Sequence, residues 1–508
     1  MNAPSRPAAL QPGWLPLPAE AGVQQLAVYG YGYRRGRQLL LQISDGAAAR
    51  RWLQALLAQG WLGIEALREI AYAPREAQGF ALNIGLSFAG LQALGLPAPL
   101  QTLLRQYAPA FSEGAVPRAA RRLGDTGDNA PPHWEPAFGH RTAHLLVSLQ
   151  ADTLHALDER TQALRALDGA DGLGGWDSGR SDGQHLFDEA GQRIVHFGYV
   201  DGISNPRFVG LHREKPQQPA RHAPGELLLG HANDDGANPW RLPEAPAAAA
   251  FFRHASFGAY RKLAQDEDAF HAQAQQLAQQ LGESPEWVMA KWCGRWRDGR
   301  LMRPPGADAA EASQPGARPS EAGWPTRPAG GAGIPAPGAL YNGFDFKDDA
   351  RGEGCPMGSH LRRMNPRSDP LVQNKRRPLM RRGMPYGPRW TPDAALTPSP
   401  RDDRRNTEPR GLLGLFFCAS LEDQFEHLLG AWADRKPLGP NDRGTAKDPL
   451  IGQHDDPNAW LEVPGAPGTP ARRMAGLRPM VSTRGTVYLL YLTQPALQAL
   501  AAGDISGV

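Results

Sequence analysis

The stretch "ALNIGLSFAGLQALGLP" (residues 81–97) sets the grammar of the chain. It reads as an apolar strand that runs straight into a helix, and the helix stops at Gly95. The same alternation recurs on both sides of it. Upstream, "QLAVYGYGY" (25–33) and "RQLLLQIS" (37–44) read as strands, from short runs of β-branched, aromatic and aliphatic residues. The twin arginines Arg34 and Arg35 fall at the basic start of the second of these. "DGAAARRWLQALLAQGW" (45–61) reads as a helix, with Asp45 near its start and Trp52, Leu56 and Gln59 along one side. Downstream come a strand in "AHLLVSLQAD" (143–152) and a helix in "TLHALDERTQALRAL" (153–167). Strand and helix alternating with short connections point to an α+β architecture.

The second half repeats this order. "ELLLG" (226–230) and "SFGAYRKL" (256–263) read as strands, and "DAFHAQAQQLAQQLG" (268–282) as a helix with Phe270, Ala274, Leu277 and Leu281 on one face. "SPEWVMAKWCGRW" (284–296) opens with Ser284 as N-cap and Pro285 at the first helical position. "GLLGLFFCAS" (411–420) is a fully apolar strand, "LEDQFEHLLGAW" (421–432) a helix, and "GTVYLLYL" (485–492) a closing strand. Residues 1–24 read as an extended Pro/Ala-rich arm. Residues 303–339 read as a low-complexity surface insertion that buries little.

Bulk composition excludes several classes. The 508 residues allow two to four domains, with 41% hydrophobic and 21% charged residues, ordinary for a globular protein. A net charge of +3 argues against a nucleic-acid binder built on charge. The 58 glycines and 48 prolines imply long irregular loops. Cys293, Cys355 and Cys418 are the only cysteines and form no CxxC pair, so neither a disulfide framework nor a cysteine zinc site is expected. The N-terminal "MNAPSRPAALQPGWLPLPAE" (1–20) shows no apolar core of signal-peptide length, and no run reaches the roughly 18 apolar residues of a membrane helix. A cytoplasmic protein is expected.

Three stretches concentrate chemistry. In "VHFGYVDGISNPRF" (195–208), Asp201 stands on a turn between Gly198 and Gly202. A solvated loop aspartate needs no such packing of turn residues, whereas a carboxylate held against a buried ligand does. In "NGFDFKDDARGEGCPMGSHLRRMNPR" (342–367), His360 is followed by Arg362, Arg363 and Arg367. A lone imidazole suits an iron already held by a porphyrin, and arginine forks suit porphyrin carboxylates. In "LMRRGMPYGPRW" (379–390), Arg381 and Arg382 precede a Gly-Met-Pro-Tyr-Gly turn, and an arginine near an iron can polarise a bound peroxide. Taken singly, each stretch is also compatible with an ordinary solvated loop.

Taken in order they resemble one family. An FGxxDG turn, a CPxGxHxRRxNPR segment, an RRGxPYG segment and an RGLL strand followed by an EDQFE helix resemble the dye-decolourising (DyP-type) haem peroxidases. "GRWRDG" (294–299), "NGFDF" (342–346), "DPLIG" (448–452) and, more loosely, "RRLGDTGDNAPPHW" (121–134) add to the resemblance, which runs from about residue 27 to 495. It implies two ferredoxin-like modules of the dimeric α+β barrel type, one over 25–215 with the Asp201 turn and one over 216–508 that binds haem. It implies haem b, with His360 as the proximal iron ligand, Asp448 hydrogen-bonded to it, Asp201 as distal acid/base and Arg381 as distal arginine. Arg363 and Arg367 are the expected contacts to the propionates. Glu422, Asp423 and Glu426 are rival carboxylates, read as the exposed face of a helix. The implied activity uses hydrogen peroxide to oxidise phenols, aromatic amines or dyes through a ferryl porphyrin radical, with surface Tyr or Trp residues as possible relays and a homo-oligomer as a possible state. The alternative is a haem-handling protein that releases iron or carries haem. One position departs from the family. Gly414 stands in "RGLLGLFF" where an aromatic residue is usual, and it bears on the shape of the distal pocket.

Overall fold

The computed structural model describes residues 21–65, 79–212, 221–302, 342, 345–367, 377–390, 408–435, 447–454, 456, 458–465 and 468–505. The expected insertion at 303–339 and the first 20 residues of the expected arm lie outside these. The elements that frame the site are, in chain order, β1 (Arg35–Ile43), α1 (Gly46–Ala58), β2 (Phe80–Leu86), α2 (Phe88–Ala93), β3 (Leu145–Ala151), α3 (Leu154–Arg165), β4 (Leu173–Gly174), β5 (Arg180–Gln184), β6 (Ser256–Gln265), α4 (Glu267–Leu281), α5 (Pro285–Cys293), α6 (His360–Met364), β7 (Met380–Tyr386), β8 (Gly411–Cys418), β9 (Val481–Tyr491) and α7 (Gln494–Ala502). A further helix, Leu421–Ala433, is wound as a π-helix.

The strands form one nine-stranded sheet in the order β7-β8-β6-β9-β2-β3-β1-β4, with β5 also paired to β1. Every pair is antiparallel. Strands from before and after residue 215 therefore share one sheet. They meet where Leu490 of β9 pairs with Leu86 of β2. The far ends of the sheet also approach each other, because Met384 of β7 packs on Gly36 of β1 and Gly183 of β5. Helices cover the faces. Every residue of β2 is buried, as its unbroken apolar run requires.

Helix starts follow the sequence signals. Asp45 accepts from the Ala47 and Ala48 N–H groups, and Ser284 from the Trp287 N–H. Such caps contribute about 1 kcal/mol each.

Four readings need correction. Residues 25–33 are not a strand: Gln25–Val28 is a helical turn, and Gly32 at φ 73° breaks any ladder beyond it. The alternation there instead buries Tyr29, Tyr31 and Tyr33, and Tyr31 Oη donates to Asn83. "ELLLG" is a tight turn after Pro224–Glu226, and Leu227, Leu228 and Leu229 are all fully buried. Three consecutive buried leucines carry no strand period, so the sequence was ambiguous there. The "GMPYG" stretch is not a turn but most of β7, an edge strand that tolerates Pro385 because one side of it needs no ladder bonds. The last strand does not close the chain, since α7 follows it and packs on α1.

Candidate active site

A cavity of about 510 Å³ lies among the loop before β6, the end of α5, α6, β7, β8 and the Leu421–Ala433 helix. That is the size of a small-molecule or cofactor pocket. Asp201, His360, Arg367 and Arg381 all line it, with an apolar wall that includes Leu412, Phe416 and Phe425.

Asp201 is placed by its turn. Gly198 and Gly202 have φ of 82° and 81°, a region that other residues rarely enter. At Gly198 a side chain would also collide with the Arg297 guanidinium, 2.9 Å from where a Cβ would stand. Arg381 Nη2 lies 3.3 Å from Asp201 Oδ1. Burial alone would raise the Asp201 carboxyl. The Arg381 charge, the Gly202 N–H and the more distant His360 outweigh it and hold the group below the usual carboxylate range.

His360 opens α6, a five-residue helix whose approach is pinned from α5. Lys291 Nζ donates to the Glu353 and Gly354 carbonyls at 2.7 Å each, and Ser359 Oγ donates to the Lys291 carbonyl at 2.5 Å. Burial pushes the Lys291 ammonium down to about 8. His360 Nδ1 donates to Asp448 Oδ2 at 2.9 Å, and Asp448 Oδ1 accepts from the Leu450 and Ile451 N–H groups. Asp448 is fully buried. Its carboxyl is raised by burial but held lower overall by His360, Arg363 and the Leu450 N–H. The second ring nitrogen, Nε2, is left for the cavity.

The two arginines expected to meet carboxylates part company. Arg367 lines the cavity and donates to the Asn342 carbonyl at 2.7 Å. Arg363 is not on the cavity wall; it donates to the Gly358, Trp432 and Arg435 carbonyls and so ties α6 to the Leu421–Ala433 helix. Glu426 does not lie on an exposed face, as the sequence had implied. It is 3% exposed and bound by Arg118 Nε at 2.6 Å and by Tyr488 Oη at 2.8 Å. Glu422 and Asp423 do face outward, bound to Arg118 and Arg377.

Sequence reasoning missed two residues that hold the Asp201 loop. Arg295 lines the cavity and donates to Ser204 Oγ at 2.8 Å and to the Gly299 carbonyl at 2.9 Å. Asn205 bonds both main-chain groups of Arg381, at 3.3 and 3.4 Å, on the open edge of β7. "GRWRDG" and "SNPR" were the available signals, but neither names its partner. At Gly414 an added Cβ would stand 2.6 Å from Phe416 Cε2. The Phe416 ring thus lies back over Gly414, and an aromatic wall is supplied from two residues further along the strand.

The family model described as the DyP dimeric alpha+beta barrel domain matches residues 66–171. Dye-decolorizing peroxidase msp1 of Mycetinis scorodonius is 27% identical over 422 residues, 79% of this chain and 70% of that protein. Multifunctional dye peroxidase DyP2 of an Amycolatopsis species is 28% identical over 438 residues, 82% of this chain and 81% of its own. The chain is thus similar to dye-decolourising peroxidases over about four fifths of its length. The fold agrees with this. A dye-decolorizing peroxidase solved with 2,6-dimethoxyphenol superposes with a TM-score of 0.72 at 23% identity, over 95% of this chain and 99% of that one. The Amycolatopsis DyP2 structure gives 0.70 at 23% identity, over 95% and 96%. The α+β barrel class expected from the resemblance holds, with helices covering the antiparallel sheet described above.

Proposed function

We propose that the protein is a haem peroxidase that uses hydrogen peroxide to oxidise phenols, aromatic amines or dye-like donors. The observation that carries this reading is one cavity lined by both the Asp201–Arg381 pair and a histidine whose Nδ1 is held by a buried carboxylate. The donor set fits haem. Among the described residues no group of three His, Cys, Asp or Glu side chains could cage a bare metal ion. The His360 imidazole on the cavity wall, with Nδ1 already held by Asp448, suits an iron that a macrocycle already holds. His360 Nε2 would bind its iron, Arg367 would meet a carboxylate of haem b, and Asp448 would fix the imidazole ring and raise its basicity.

Haem, when bound, supplies the iron at which peroxide is reduced. The chain supplies proton handling and charge. Asp201 takes a proton from one peroxide oxygen and returns it to the other, which leaves as water. Arg381 stabilises the negative charge that develops as the O–O bond breaks. Arg295 and Asn205 keep both groups in register. Arg363 acts at one remove, by holding the main chain on either side of His360.

The test is an absorption spectrum of the haem-loaded protein before and after peroxide, then after a phenol. A Soret band that changes with peroxide and recovers with the phenol is expected, and His360→Ala should lose most of the haem or the axial ligand. A protein that shows no Soret band even with haem supplied would refute the reading.

A further inference from the structure

We propose that His196 and Glu267 form a one-proton latch that ties the Asp201 turn to the Arg381 strand; this rests on the peroxidase reading above and adds two positioning residues to it. His196 stands five residues before Asp201 on the same turn, and Tyr386 ends β7 five residues after Arg381. His196 Nε2 lies 2.8 Å from the Tyr386 carbonyl. A carbonyl only accepts, so the imidazole carries its proton on Nε2, and the Nδ1 lone pair is bare. Nδ1 is buried, makes no hydrogen bond among the described residues and faces Glu267 Oε1 across 3.8 Å. That gap is too long for a hydrogen bond, which needs about 2.7–3.2 Å.

Glu267 opens α4 and is 3% exposed. Its Oε2 accepts from Arg410 Nη1 at 3.1 Å, and Oε1 is the oxygen turned to His196. It also lines a second cavity, of about 610 Å³, whose walls include the exposed Asp266, Asp268 and Glu408. A proton can therefore reach Glu267 from water without crossing the cavity that holds Asp201. With Glu267 ionised, a carboxylate oxygen and an imidazole lone pair repel each other and the gap stays open. A proton taken from water onto Oε1 turns that repulsion into an O–H···Nδ1 hydrogen bond. A bond accepted at Nδ1 polarises the ring, so the Nε2–H bond to the Tyr386 carbonyl strengthens with it and draws turn and strand together.

The charges around the pair decide when it closes. Burial outweighs the Arg410 charge and pushes the Glu267 carboxyl up to about 7, with Asp268 raising it and Arg389 lowering it from further off. Burial, with a smaller push from Arg410, brings the His196 imidazole down to about 4, so Glu267 is the first of the two to take a proton. Glu135, Arg484 and His133 stand across the second cavity, and Glu135 is tied to Lys262 at 2.8 Å. The latch is closed in mildly acidic solution and opens as pH rises through the neutral range.

The test reads the proton directly. Infrared difference spectra of the haem-loaded wild-type protein, taken between about pH 5 and 9, should show a buried carboxylic C=O band that disappears as pH rises, and Glu267→Gln should lack it. The amide of Glu267→Gln can donate to Nδ1 at every pH. In stopped-flow mixing with peroxide, the first spectral change of the wild type should slow about tenfold or more across the same range, while Glu267→Gln stays fast and keeps its acid limb. A wild-type protein without the band overturns the latch, and so does a Glu267→Gln variant that slows with pH as the wild type does. Should Glu267→Gln not fold, Glu267→Asp keeps a charge for Arg410. Band and rate moving together to a new pH support the latch, and a rate that stays put while the band moves overturns it. A haem spectrum that ignores peroxide at every pH would overturn the peroxidase reading and the positioning role with it, and the carboxylic band tells that failure from a failure of the latch alone.

Discussion

In the proposed function Asp201 and Arg381 divide the labour of one step, so their variants should differ in kind. Asp201→Asn keeps the size of the side chain and loses the proton shuttle; stopped-flow mixing with peroxide should show the first spectral change slowed by about 10²–10⁴-fold with haem retained. Arg381→Leu removes a donor worth about 3–4 kcal/mol to developing oxygen charge and should slow the same step at least as much. The sign of the pH effect follows from the geometry. Arg381 holds the Asp201 carboxyl below its usual 3.8, so the base stays ionised in mildly acidic solution and the rate falls only when pH drops through that depressed value. In Arg381→Leu, burial is left less opposed, the carboxyl rises, and the acid limb should move to higher pH. An acid limb at the same pH in both proteins would mean that Asp201 is not the group that titrates. Phe416 offers a second residue-scale test. Its ring lies back over Gly414, on the cavity wall and in register with Arg381 of β7. Phe416→Leu should raise the rate with a bulky organic hydroperoxide relative to hydrogen peroxide, read from the same transients. Asp201, His360, Arg381 and Asp448 were legible as local motifs. Asn205 and Arg295 were not, because their bonds reach partners 176 and 91 residues away.

At the scale of elements, the Leu421–Ala433 helix shows how a legible element can carry an illegible role. The Ser420 N-cap and the acidic first turn are local and were readable. The burial of Glu426 was not, because it depends on Arg118, 308 residues earlier. Arg118 is 2% exposed and also meets Glu113 and Glu422. Arg118→Ala strands Glu426 in the interior and should cost about 3–5 kcal/mol. The pair Arg118→Met with Glu426→Leu should recover much of that, since both charges are then gone. Urea unfolding of the two variants decides the matter: equal losses would mean that the ion pair itself, rather than the stranded charge, matters. The edge strand β7 makes a related point. Its Gly and Pro residues read as a turn, yet pairing with β8 from Met380–Phe417 to Tyr386–Gly411 holds it extended and aims Arg381 into the cavity.

At the scale of the whole molecule, the last strand occupies the middle of the sheet. β9 pairs with β6 from Ser256–Tyr491 to Gln265–Val481 and touches β2 at Leu490–Leu86. Arg261 of β6 forks onto Asp125 at 2.6 and 2.7 Å and also bonds Thr483 and Thr486 of β9 at 2.8 Å. A chain ending at residue 480 would lose β9 and α7, open both flanking strands and leave the buried Arg261–Asp125 pair without its threonines. It should accumulate as insoluble material that takes up no haem, whatever the integrity of the segments that precede it. Soluble, haem-binding protein from that truncation would show that β6 and β2 hold without the strand between them.

The sequence by itself determined the identities and spacings of the groups proposed to react, the α+β class and most helix starts. Caps, glycine turns and apolar runs act over a few residues, so their physics is written locally. Only the tertiary structure decided that Arg367 reaches the cavity while Arg363 is taken up by carbonyls, that Glu426 is buried, and that Phe416 stands in for an aromatic at Gly414. Each of those outcomes depends on which distant strand or helix arrives to desolvate or pair a group, and the chain's closure into one sheet sets that arrival.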